Sequence, residues 1–321
     1  MLLPPEKQLL KHGKPIPYGV YDDLITHPGT SFWDDEGFPL KRRRSQRKTW
    51  IFYGVYSESL FAGLAIVDAG LLATAFAYFY IPGEVLFVED KITLPLGFAG
   101  DFNPSLTDEW KLGKYRVATE NGETKIQYKG KFVLDITTAF DHKGVSVVAP
   151  SPDRPFNFTY KNMLLPVKVH IEYKGKSYGI SGNYGAVDFT KGYPPRTTIW
   201  NWASFIGYTD SGERMAVNMV DKFNDNMENV LWKGEERFIL SEAVFQAGKP
   251  LDKGVWQIAT KDKILDMRFT PSGARAENLN AGLMKSIFTQ PFGKYEGTIR
   301  LGGREESFTA WGVAEEHLAV W

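Results

Sequence analysis

From about residue 48 to its end the chain is written in short runs of aromatic and β-branched residues, each cut off by Gly, Pro, Asn or Asp, and long helical stripes are scarce. Runs of this length, separated by turn chemistry, specify antiparallel strands. Lys125-Ile126-Gln127-Tyr128 turns at Lys129-Gly130 into Phe132-Val133-Leu134, and Val169-His170-Ile171-Glu172-Tyr173 turns at Lys174-Gly175 into Ser177-Tyr178-Gly179-Ile180. Both read as hairpins. The fold class this predicts is all-β, a sandwich or barrel.

Landmarks in the strand pattern recur in order, which predicts two similar halves. Trp50-Ile51-Phe52 opens a strand pair that closes at Val67-Asp68, and Trp200-Asn201-Trp202 opens one that closes at Val220-Asp221. Gly83-Glu84 lies 33 residues after Trp50, and Gly234-Glu235 lies 34 after Trp200. A second Trp follows in each half, Trp110 and Trp256, and then Leu134-Asp135-Ile136 and Leu265-Asp266-Met267. Each half ends on an aromatic, a Gly, two small or aliphatic residues and an acid: Tyr184-Gly185-Ala186-Val187-Asp188 and Trp311-Gly312-Val313-Ala314-Glu315. The expected division is an extended N-terminal arm over 1–40, rich in proline, a first half over 41–193 and a second over 194–321, with Pro194-Pro195 at the step.

Composition narrows the function classes. A chain of 321 residues that is 43% hydrophobic can bury a real core and is not disordered. Its 38 basic and 38 acidic residues cancel, so no whole-molecule field draws it to nucleic acid, and with no cysteine it has no thiolate nucleophile or cysteine-ligated metal. The start, Met-Leu-Leu-Pro-Pro-Glu-Lys, lacks a basic then apolar leader, and a cytoplasmic location is expected. Ser59 to Pro82 is apolar enough to span a bilayer on length, but Asp68 and Gly70 sit at its middle. A charge there costs roughly 2.5 kcal/mol or more. Two buried strands joined at Asp68-Ala69-Gly70 fit better.

Sharper motifs fail on context. Gly175-Lys176-Ser177-Tyr178-Gly179 has nucleophile-elbow spelling but sits in a hairpin rather than between strand and helix. His12, His27, His142, His170 and His317 lack metal-protease spacing, and Glu315-Glu316-His317 makes a metal site only if other groups converge. Asp141-His142 reads as a turn. No phosphate-cradling Gly loop precedes a helix, so no cofactor is expected. The run Lys41-Arg42-Arg43-Arg44-Ser45-Gln46-Arg47-Lys48 is either a solvated lead-in to the Trp50 strand or a dock for an acidic partner or lipid headgroups.

The most distinctive stretch is Gly182-Asn183-Tyr184-Gly185-Ala186-Val187-Asp188-Phe189-Thr190-Lys191-Gly192, followed by Trp200-Asn201-Trp202-Ala203-Ser204. With Trp50 to Tyr80 and Glu228-Asn229 to Trp232, it resembles a bacterial domain family of unknown function, number 2804, related to the carotenoid 1,2-hydratase and AttH-like proteins. The resemblance covers about 40 to 320. It implies two consecutive lipocalin-like antiparallel β-barrels and, in members of known activity, hydration, cyclisation or cycloaddition of isoprenoid or polyketide ligands. In the hydratases it implies a Tyr-x-Asp proton donor. Asp188 matches the Asp, whereas the Tyr position is Ala186, which puts hydration itself in doubt.

Asp188 is the candidate catalytic acid, because a carboxyl in an apolar pocket is held neutral by desolvation. The alternative is that it caps a turn. Tyr184, Tyr193, Trp200 and Trp202 are candidate ligand-binding aromatics able to stabilise a cation, or else core residues. Strand alternation puts 184, 186 and 188 on one face and turns Asn201 away from both tryptophans. Arg196 is either a carboxylate clamp or a tether between barrels, and the Asn224 to Asn229 cluster is either a turn or a polar rim, with Glu228, Asn229 and the nearby Trp232 as candidate ligand contacts. The expected function is binding of an apolar isoprenoid, lipid or polyketide-like molecule in a barrel cavity. If the chain is an enzyme, it is a lyase or an isomerase or cyclase. A non-catalytic carrier and an interaction protein with filled barrels fit the same pattern.

Overall fold

A computed structural model describes residues 2–11, 14–25, 46–95, 105–139, 144–280 and 284–321. Among them every regular element is a strand, apart from the short 3-10 turns Pro82–Glu84 and Asn224–Asn226. No described helix is long and apolar enough to cross a membrane. Ser59 to Pro82 forms two antiparallel strands, Phe61–Asp68 and Leu72–Ile81, as the sequence predicts. Asp68 accepts the Gly70 amide at 2.8 Å inside the turn.

Two curled antiparallel sheets of twelve and nine strands carry the chain, a double lipocalin-like barrel fold. The hairpins read from sequence are present, and Lys174 and Gly175 (φ 50° and 77°) give the left-handed pair that a two-residue hairpin turn requires. Each sheet closes first strand on last. Lys48–Tyr56 lies between Phe61–Asp68 and Lys176–Gly192, and Thr197–Thr209 lies between Arg214–Asp221 and Arg304–Val320. Residues 193–196 connect the two sheets. In the N-terminal segment, Gly19–Asp22 pairs with Val145–Ser151 at the first sheet. Of the basic run, 41–45 lies outside the described residues, as do His12, His27, Asp141 and His142. Lys48 is not solvated: it is buried, with its ammonium 2.5 Å from the Ala69 carbonyl.

Alternation divides the side chains among three cores. Odd residues of the first strand, Ile51, Tyr53 and Val55, fill the first barrel with Trp110, Tyr128 and Phe189, while Phe205, Trp256, Phe269 and Tyr295 fill the second. The even residues face outward into a third cluster between the sheets, where Phe52, Tyr78 and Tyr80 meet Trp202, Trp232 and Phe292. Both barrel interiors are therefore packed, and the halves are joined by aromatics.

Backbone approach at the second closing seam sets a stringent condition. A Cβ on Gly312 would lie 2.1 Å from the Ser204 carbonyl oxygen, against a strand that cannot yield alone. Gly312→Ala is expected to lower stability by about 1–3 kcal/mol in denaturant unfolding, as overpacking does. Gly83→Ala, with no atom within 4 Å of the added carbon, should stay within about 0.5 kcal/mol of the parent.

Candidate functional site

A cavity of about 230 Å³ opens between the two sheets. This corrects the expected chamber inside a barrel: the interiors are filled by their own inward-facing residues, and the space left is where the outward faces fail to meet. The first half contributes Trp50, Phe52, Phe76, Lys161 and Asp188 to its wall, and the second contributes Trp200, Trp202, Glu228, Arg275, Phe288, Glu315 and His317.

Three charges sit together in this apolar setting. Lys161, on the long strand Arg154–Tyr173, faces Asp188 across the sheet, and its ammonium lies 2.7 Å from Asp188 and 2.9 Å from Glu228 of the second half. The Lys161 and Glu228 side chains are 5% and 2% exposed, so one cation is buried against two carboxylates with an excess negative charge. Burial pushes the Glu228 carboxyl up, against the pull of Lys161 and with the help of Asp188. Burial alone would lower Lys161, but the two carboxylates outweigh it and raise it, so the ammonium keeps its charge. Of the two carboxyls, Glu228 is the one driven toward the neutral acid.

A strained turn aims Glu228. Asn224, Asp225 and Asn226 are all left-handed (φ 48°, 50° and 57°), a conformation Asn and Asp tolerate best and one that carries a cost of order 1 kcal/mol or more per residue. It lets the Asn224 amide donate to the Glu228 carboxylate while accepting from Asn157 at 2.9 Å. The polar cluster is thus a turn that also reaches the site.

On the second half's wall, the Glu315 carboxylate accepts from Trp200 Nε1 at 2.9 Å and Gln290 Nε2 at 2.6 Å, and lies 3.2 Å from His317 Nδ1. Burial opposes its charge, but His317, Arg275 and Trp200 hold its carboxyl below the usual range. Glu315 and His317 bond each other, and among the described residues no group of three or more His, Cys, Asp or Glu is placed to hold a metal ion. Arg275 stacks on Phe76 at 3.8 Å and reaches Glu89 of the first half at 2.7 Å.

Of the residues named from sequence, the structure brings Asp188, Trp200, Trp202 and Glu228 to the cavity. The others lie elsewhere. Tyr184 does not share a face with Asp188: a register shift pairs Leu165 with Gly185 and Pro166 with Asn183, which skips Tyr184 and turns it toward the first barrel core. Tyr193 is buried in that core, and Trp232 packs in the aromatic cluster between the sheets. Arg196 is exposed, and its carbonyl holds the Trp321 amide at 2.9 Å. Asn229 spends its side chain on Val220 N–H at 2.7 Å and the Ser241 carbonyl at 3.1 Å. Lys161, Arg275 and Gln290 were not legible as site residues, because each is positioned by pairing with distant strands.

The family model described as a domain of unknown function, DUF2804, matches residues 5–321. The chain belongs to the DUF2804 family. No curated protein matches it significantly. Among solved structures, this DUF2804 chain is similar to an AttH-type protein from Nitrosomonas europaea, at 13% identity and a TM-score of 0.57 over 83% of this chain and 92% of that one. It is also similar to kievitone hydratase from Nectria haematococca, at 11% identity and a TM-score of 0.56, covering 97% of this chain and 96% of that one. CghA crystallised with Sch210972 gives 11% identity and 0.54 over the same shares. Identities this low establish the shared double-barrel fold, not a shared activity.

The cluster makes a stability prediction for the DUF2804 chain. Lys161→Met strands two carboxylates and is expected to lose about 3–5 kcal/mol in denaturant unfolding at pH 7. The stranded groups take protons more readily folded than unfolded, so the loss should shrink as pH falls toward 5. A loss below about 1 kcal/mol, independent of pH, contradicts this reading.

Proposed function

We propose that the chain binds an apolar molecule, an isoprenoid, lipid or polyketide-like alkene, between its two barrels and protonates it from the Asp188–Lys161–Glu228 cluster, starting hydration, isomerisation or cyclisation without a cofactor. The observation that carries this reading is a pair of carboxyls, buried Glu228 and half-buried Asp188, sharing one buried lysine in an aromatic cavity. Protonating an alkene needs an acid kept neutral at working pH, and burial pushes Glu228 in that direction. Asp188, whose side chain is 17% exposed against 2% for Glu228, is the member placed to meet the ligand: Lys161 Nζ touches both, gives a proton to Asp188 and takes one from Glu228, so the cluster loses one proton for each alkene protonated. Trp200, Trp202, Phe52 and Phe76 line the same space and would stabilise a developing cation, each by up to about 2 kcal/mol when desolvated. Similarity to a kievitone hydratase supports hydration as one outcome. With Ala186 where a tyrosine donor was expected, the lysine-bridged carboxyls replace that hydroxyl as the proton source.

The test is deuterium wash-in: a panel of prenylated and polyene alkenes is incubated with protein in D2O and read by mass spectrometry. Any acid-initiated step leaves deuterium in the ligand, whichever product follows. Wild type is expected to incorporate it, and Asp188→Asn and Glu228→Gln to do so about 10²–10⁴-fold more slowly with affinity nearly kept. Saturable binding without wash-in in wild type would favour a carrier, and no binding a filled interaction protein.

The raised Glu228 pKa gives the rate a pH sign. The acid form is lost as pH rises through the raised value, so turnover falls on the alkaline side. Stability follows the same direction, since the folded state binds this proton more tightly than the unfolded one, and it declines from about pH 4.5 upward to the raised value. Glu228→Gln should remove that decline in a pH series of thermal unfolding.

A further inference from the structure

The second half's wall carries a hydrogen-bonded relay that the acid chemistry does not use. Ser286 Oγ lies 3.1 Å from His317 Nε2, and His317 Nδ1 lies 3.2 Å from Glu315 Oε1. All three residues line the cavity. Adjacent strands place them there: Phe288 faces His317 in register, Ser286 is two residues before Phe288, and Glu315 is two before His317. A spacing of two on a strand returns each side chain to the same face.

The partners of Glu315 set the tautomer of His317. An ionised carboxylate only accepts, so His317 must present Nδ1–H to it, which leaves the Nε2 lone pair toward the Ser286 hydroxyl. Trp200 and Gln290 donate to the same carboxylate and fix its orientation. The imidazole itself is held between Trp200, with centroids 4.0 Å apart, and Phe288, 5.1 Å away. This is the order of roles in a nucleophile, base and orienting acid, recognised by geometry rather than by sequence order.

We propose that Ser286 is the nucleophile of a second activity, acyl transfer from an ester or thioester of an apolar acid bound in the cavity, with His317 as its base and Glu315 orienting His317. Ser286 Oγ attacks the carbonyl carbon and its proton passes to His317 Nε2. The bond to the alkoxide or thiolate breaks and the leaving group takes that proton, giving acyl-Ser286. Water, deprotonated by His317, then releases the acid and restores the serine. The backbone of Ser286 is committed to the ladder between Leu279 and Ala319, so its own N–H is not offered to an oxyanion. Formation of the covalent adduct is therefore a better readout than turnover.

The experiment is labelling of the full chain with a long-chain alkyl fluorophosphonate, followed by intact mass and peptide mapping. One adduct per chain on Ser286 is expected, absent in Ser286→Ala, slowed about 10²-fold or more in His317→Gln, and unchanged in Ser177→Ala, a hairpin serine. Retained binding of an apolar fluorophore by Ser286→Ala and His317→Gln checks that the cavity is still formed. An adduct on another residue, or equal labelling rates in wild type and His317→Gln, overturns the proposal.

Discussion

The two halves of this protein meet at one buried lysine that is shared between a carboxylate of each. Lys161 of the first sheet lies between Asp188 of its own sheet and Glu228 of the second. Removing these groups from water is costly, and the cost is offset only if the sheets sit where the ammonium reaches both carboxylates. The strained Asn224–Asn226 turn and the aromatic cluster between the sheets serve that placement. With two carboxyls to one cation, burial pushes Glu228 toward its neutral form.

The similar closure of the two sheets gives the cavity two polar walls. Asp188 stands opposite Phe52, and Glu315 stands opposite Trp202, at matching places where each closing strand returns to the first. On the neighbouring strand, Asp188 meets Lys161 whereas Glu315 meets Gln290. These matching positions carry an acid cluster in one half and an imidazole relay in the other, and the cavity lies between them because the barrel interiors are full.

The strand pattern and the ordered landmarks made the fold legible, since aromatic and β-branched runs with turn chemistry leave few architectures open. Asp188, Trp200, Trp202 and Glu228, which line the cavity, stood out in the sequence because they lie in or near a distinctive local stretch. Asp188 and Glu315 were linked by the repeat. Lys161 was not, because a lysine in a long strand reads as solvent-facing until its cross-strand partner is known. Tyr184 misled because alternation holds only while register holds, and a shift beside Leu165 skips it. The place of the cavity was hidden for a similar reason: periodicity says which residues share a face, not whether that face turns inward or toward a second sheet.

The proposed function depends on an apolar molecule occupying the space between the barrels beside the buried charges. Native mass spectrometry of the purified protein, followed by organic extraction, tests it most directly, with Val67→Trp as the variant that fills the cavity from its wall. The account predicts a discrete one-to-one apolar adduct, or its uptake when isoprenoids and lipids are supplied, and loss of that adduct in Val67→Trp. A wild-type protein that stays empty at saturating apolar ligand, or an adduct that Val67→Trp leaves untouched, contradicts it.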